Sequence, residues 1–107
     1  YRLLIADDDD SLRETLRELL SPFLETVVAR SGEEAVALVE QAPVHLALFD
    51  MHMDELTGLD TIRLVKAELV ATPCILMTAD WTQELEVAAE AARAYCVLHK
   101  PVQRRTL

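Results

Sequence analysis

Glycine is scarce in this chain, two residues in 107, which argues against a loop-rich fold because tight turns lean on glycine's freedom at positive φ. Cysteine is equally rare, also two residues. Cys74 and Cys96 sit inside apolar runs ("PCILM", "YCVL") with no Cys or His grouped beside them. A disulfide framework and a thiolate metal site are therefore not expected, and both are read as small buried hydrophobes of a reducing compartment. Basic residues are few, ten against nineteen acidic, and scattered apart from "QRR" near the end. A formal charge of −9 is a poor match to phosphate backbones, so nucleic-acid binding by these residues is not expected. No apolar stretch approaches the ~20 residues that span a bilayer, and no signal peptide is visible. The expectation is a cytoplasmic protein without a membrane partner. Half of the residues are apolar, enough for one core in one domain. Because the chain starts at Tyr1 and stops near a helix start, residues 1–107 are expected to be one domain of a longer protein.

The chain does contain regular alternation. "LLIA" (3–6) runs into four aspartates, then Leu12, Leu16, Leu19, Leu20 and Phe23 form a helical stripe. Asp10 or Ser11 is expected to cap that helix, with Ser11 and Glu14 as a capping box, and Pro22 to disturb its last turn. "TVVA" (26–29) is the second apolar run, "SGEEAVALVEQA" (31–42) the second helix, "VHLALF" (44–49) the third strand and "MHMDELTG" (51–58) a loop. Leu59, Ile62, Val65 and Leu69 mark a third helix. "CILM" (74–77) is a fourth strand, "TQELEVAAEAA" (82–92) a fourth helix with an alanine face that docks weakly, and "YCVLH" (95–99) a fifth strand. "KPVQRRTL" begins a fifth helix that is cut short. Apolar strands alternating with helices give a parallel sheet covered on both faces. The expected fold is α/β: a three-layer, doubly wound, five-stranded parallel sheet in the flavodoxin-like order 2-1-3-4-5.

In such sheets, sites form at the carboxyl ends of strands beside the switch point. There the chain places Asp7 and Asp8 after strand one, Asp50 after strand three, Thr78 after strand four and Lys100 after strand five. Clustered carboxylates raise one another's pKa and call for a neutralising partner. A hard divalent cation such as Mg2+ answers with oxygen ligands. A carboxylate left partly uncommitted can act as a nucleophile toward phosphorus, with a cation, Lys100 and the Thr78 hydroxyl neutralising the phosphoryl oxygens. The histidines have no evident base or orienting partner. His45 and His99 read as ordinary strand residues, and Trp81 as an exposed loop aromatic.

The segments "LLIADDD" (3–9), "ARSGEEAV" (29–36), "LALFDMHMDELTGLD" (46–60), "PCILMTA" (73–79) and "LHKP" (98–101) together resemble the receiver domain of two-component response regulators, the CheY-like superfamily. The resemblance covers nearly the whole chain in order and spacing. It implies a phosphoacceptor at Asp50, and Mg2+ (Mn2+ can substitute) on Asp7, Asp8, Asp50 and the backbone carbonyl of His52. It also implies phosphoryl-stabilising and switch roles for Thr78 and Lys100, and a cis Lys100–Pro101 bond. His52 and Asp80 hold positions that tune phosphoryl lifetime. The implied donor is a sensor histidine kinase, a phosphotransfer protein or a small phosphodonor. The implied self-association is a homodimer through the fourth-helix to fifth-strand face. On this reading the domain is a regulatory phosphoacceptor and not an enzyme beyond its own phosphorylation and dephosphorylation.

Three positions depart from the family pattern. Asp54 stands where proline is usual, Arg93 where glycine is common, and Val97 replaces the aromatic that rotates inward with the threonine. Tyr95 lies two residues before Val97 on the same side of the strand. These departures keep a second reading open, a degenerate receiver acting as a phosphorylation-independent interaction module. A third, a Mg2+-dependent aspartyl-phosphate phosphohydrolase of the haloacid-dehalogenase type, needs a second Asp two residues after the first, where His52 stands, and a cap for which the chain is too short. A flavin site is not expected, because no Gly- or Ser/Thr-rich phosphate loop follows strand one.

Overall fold

The computed structural model describes residues 1–100. Nine elements alternate along the chain: β1 (Arg2–Ala6), α1 (Asp10–Leu20), β2 (Glu25–Ala29), α2 (Gly32–Gln41), β3 (Leu46–Asp50), α3 (Gly58–Glu68), β4 (Cys74–Thr78), α4 (Gln83–Ala91) and β5 (Cys96–His99). All pairings are parallel and the strand order is β2-β1-β3-β4-β5, the expected doubly wound sheet. The expected fifth helix and the Lys100–Pro101 peptide bond lie outside the described residues.

The period of two along each strand sorts side chains into two cores. Leu4 and Ala6 of β1, Ala47 and Phe49 of β3, and Cys74 and Leu76 of β4 face α2, α3 and α4, meeting Val39, Ile62, Val65 and Ala89. Leu3, Ile5, Leu48 and Met77 face the other way and meet Leu16 of α1. Burial on both faces explains why the strands read as unbroken apolar runs.

Helix starts follow capping chemistry. Ser31, Thr57 and Thr82 each accept a backbone N–H from their own first turn. For α1 the cap differs from the expectation: Asp9, not Asp10 or Ser11, accepts from the N–H groups of Ser11 and Leu12. The chain turns one residue earlier, because Asp7 already takes the Asp9 N–H. The helix ends at Leu20, ahead of Pro22. Phe23 therefore falls outside the helix and is exposed rather than continuing its apolar stripe. At the far end of α4, Arg93 adopts φ 68°. Its N–H bonds the Glu90 carbonyl and the Ala94 N–H that of Ala89, the paired Schellman closure in which glycine is the unstrained choice. Tyr95, expected within the fifth strand, precedes β5 and is 75% exposed.

Candidate functional site

The register builds the site. Ala6 of β1 pairs with Phe49 of β3, so the next residues, Asp7 and Asp50, stand side by side where both strands leave the sheet. Asp50 pairs with Met77, which puts Thr78 one step further along the same edge. Thr78 in turn pairs with His99, and the Lys100 N–H donates to the Thr78 carbonyl at 2.7 Å. Four sequence-distant groups are thus delivered to one edge by strand pairing alone.

Asp7 and Thr78 are fully buried and Asp50 is 3% exposed, whereas Asp8 is exposed. One oxygen from each of Asp7, Asp8 and Asp50 can lie within 4.8 Å of the others. Lys100 Nζ donates to Asp7 Oδ2 at 3.0 Å and lies 2.9 Å from Asp50 Oδ1. The second contact is close but off the hydrogen-bonding direction, and Asp50 Oδ1 is a buried oxygen without a hydrogen bond among the described residues. Such an orphaned acceptor carries a desolvation cost. Burial pushes the Asp50 carboxyl up, Lys100 holds it down and Asp7 pushes it up again, for a net upward direction. Burial pushes the Lys100 ammonium down, but the close carboxylates of Asp50 and Asp7 outweigh it and its net direction is also up. A buried carboxylate oxygen without a hydrogen bond, two further carboxylates beside it and all-oxygen donors fit a hard divalent cation such as Mg2+.

The remaining site residues sit around this cluster. Thr78 Oγ1 accepts the Asp80 N–H at 3.1 Å, leaving its own proton to donate. His52 Nε2 and Asp80 Oδ2 are 3.7 Å apart, both exposed, facing each other from the loops after β3 and β4. Trp81, in the same loop as Asp80, donates its indole N–H to Glu86 of α4 at 2.7 Å. Val97 is half-buried and packs against the core on the α4 side of the sheet. His45 lies before β3, where its Nδ1 accepts the Arg2 N–H, and His99 bonds the Ala79 carbonyl at 2.9 Å.

Two residues at this edge escaped the sequence reading. Arg13 of α1 is 7% exposed and donates to the Asp7 backbone carbonyl at 2.6 Å. Its signal was spacing: Arg13 falls three and seven residues before Leu16 and Leu20, a charge on the apolar stripe. Gly58 opens α3 against the end of β3. A Cβ there would strike the Asp50 carbonyl group and stand 2.8 Å from Leu76 Cδ1. Its signal was the scarcity of glycine itself.

Comparison with known proteins agrees with this geometry. The response regulator receiver domain family matches residues 3–107. Among curated proteins, the response regulator protein PilR of Pseudomonas aeruginosa is 33% identical over 102 residues, covering 94% of this chain and 23% of PilR. The transcriptional regulatory protein CpxR of Klebsiella pneumoniae is 34% identical over 107 residues, covering 99% of this chain and 45% of CpxR. The chain thus spans less than half the length of these relatives. Among solved structures, the chemotaxis protein CheY4 of Vibrio cholerae superposes with a TM-score of 0.93 at 26% identity, covering 98% of this chain and 90% of CheY4. The CheY-like receiver domain protein of Methanospirillum hungatei also superposes at 0.93, with 27% identity over 97% of this chain and 84% of that one. With its order of strands, its acidic edge and its match over nearly the full length, the chain belongs to the response regulator receiver domains of two-component signalling.

Proposed function

We propose that Asp50 is the phosphoacceptor of a two-component phosphorelay. The observation that carries this reading is the buried Asp50 carboxylate, with one oxygen lacking a hydrogen bond, set between Asp7 and Lys100. An Asp50 oxygen attacks phosphorus in a phosphohistidine of a sensor kinase or phosphotransfer protein, the P–N bond breaks, and the departing imidazole keeps the bonding pair and takes up a proton. Acetyl phosphate would serve as a small donor, with acetate leaving. Asp7, Asp8, Asp50 and the His52 backbone carbonyl would hold Mg2+ or Mn2+, which when bound supplies charge neutralisation to the phosphoryl oxygens. Lys100 turns from bridging two carboxylates to pairing with a phosphoryl oxygen. Thr78 donates its free hydroxyl proton to another.

The exposed pair His52 and Asp80 stands over the approach and sets how freely water reaches the acyl phosphate, hence its lifetime. Val97 carries no ring to rotate, so the readout through α4 and β5, including a homodimer on that face, rests on other groups. DNA binding or any other output is assigned to residues beyond this domain.

The test is incubation with Mg2+ and acetyl phosphate, followed by intact mass. One phosphoryl adduct on wild type and none on Asp50→Asn is expected. No adduct on wild type would leave a phosphorylation-independent interaction module, the reading that Val97 favours. Sustained phosphate release from unrelated esters would indicate a phosphohydrolase instead.

A further inference from the structure

We infer that Arg13 is a positioning residue for the cation site, clamping the peptide that joins Asp7 to Asp8. This inference rests on the proposed Mg2+-dependent phosphorylation. Three of the four consecutive aspartates each make a different side-chain bond. Asp7 Oδ1 accepts the Asp9 N–H at 2.8 Å. The Asp9 carboxylate caps α1. The Asp10 carboxylate, 85% exposed, holds the Arg13 guanidinium from the solvent side. Asp8 makes no side-chain hydrogen bond among the described residues, so its aim is set by its backbone.

That backbone leaves the sheet at this point. The Asp7 N–H is the last group to bond toward β2, donating to the Ala29 carbonyl at 3.1 Å. The Asp7 carbonyl instead accepts Arg13 Nη1 at 2.6 Å. A peptide unit is planar, so fixing the Asp7 carbonyl also fixes the plane from which the Asp8 Cα and side chain depart. Arg13 can hold it firmly because the guanidinium is a rigid fork, buried at its base and tied to Asp10 at its tip.

A positioning role and a purely electrostatic one predict opposite signs. Arg13 is a cation near a cation site, so removing its charge alone should tighten Mg2+ binding. Removing the clamp should loosen it. The experiment is calorimetric titration of the 107-residue chain with Mg2+ for wild type, Arg13→Met, Arg13→Lys and the core control Val39→Ala, with melting temperatures measured in chelator. Binding by wild type is expected, about tenfold weaker binding by Arg13→Met, and an intermediate value for Arg13→Lys, which can reach the carbonyl but cannot fork to Asp10. Val39→Ala, though destabilised, should bind as wild type does. The slower phosphorylation of Arg13→Met should be recovered by raising Mg2+. Arg13→Met binding Mg2+ as tightly as wild type, or more tightly, overturns the clamp and leaves the phosphoacceptor reading standing. Wild type that binds no Mg2+ overturns both. If Arg13→Met does not fold, Arg13→Lys decides, because it keeps the charge and loses the fork: several-fold weakening supports the clamp, and wild-type affinity overturns it.

Discussion

The centre of this sheet and its β5 edge are built by opposite means. Beside β1 and β3, the buried Asp7 is held by several bonds, its carboxylate accepting from Lys100 and from the Asp9 N–H and its carbonyl from Arg13, and the buried Asp50 is ion-paired to Lys100. At α4 and β5, small side chains dock a helix through Leu85, Ala88, Ala89 and Ala92, Val87 and Tyr95 face solvent, and the helix ends on a strained Arg93. Buried charge is costly and demands accurate partners, so the first region tolerates little change. The second has few specific bonds to lose. The proposed chemistry would sit where the geometry is overdetermined, and the surface that would report it is loosely built.

The sharpest way to break this contrast is at Lys100. Lys100→Met should slow phosphorylation of Asp50 by about 100-fold, as loss of one preorganised donor to transferring oxygens does. Tyr95→Ala at the other end should leave the rate within about twofold, since it touches none of the reacting groups. Equal rates for the two variants, followed by intact mass over time, would erase the distinction.

A stability pair comes next. Gly58→Ala should cost about 3 kcal/mol by overpacking, because the new methyl meets the rigid Asp50 carbonyl rather than a movable side chain. Ala88→Gly in α4 should cost about 1 kcal/mol, a helix-propensity loss. Urea denaturation compares them, and similar midpoints would show that the site edge gives way more readily than its packing implies.

Arg93→Gly should stabilise the domain by about 1 kcal/mol through relief of the positive φ. A loss of stability on thermal melting would mean that the Arg93 side chain contributes more than its backbone costs.

The last prediction is alkaline. Burial pushes the Cys74 thiol up to about 11 from an ordinary value of 9.0, with Lys66 pulling slightly down. The native state therefore keeps a proton that the unfolded chain releases above pH 9. Native protein binds more protons in that window, so stability falls as pH rises from about 9 to about 11, by at most roughly 2–3 kcal/mol. Cys74→Val should flatten this limb. An unchanged limb would assign it to other groups.

Much of this molecule could be read along the chain. Burial on both faces made β1, β3 and β4 read as apolar runs, and the 3.6-residue stripe at Leu12, Leu16 and Leu20 marked α1. The residues after the strand ends located Asp7, Asp8, Asp50, Thr78 and Lys100, because parallel order puts every carboxyl end on one edge.

What stayed hidden depends on distances between residues far apart in sequence or on competition among equals. Four identical aspartates offered no local reason to choose a cap. Asp9 takes the role because Asp7 first captures the Asp9 N–H and bends the chain there. Arg13 looked like an ordinary helical charge until the turn folded back and brought the Asp7 carbonyl to it. Gly58 acquires its meaning only from Asp50 lying beneath it, and Lys100 only from two carboxylates on other strands. Sequence by itself determined the order of elements and the list of reactive groups, since both follow from local periodicity. Tertiary structure decided which group holds which, because a hydrogen bond or a buried charge is settled by position in three dimensions.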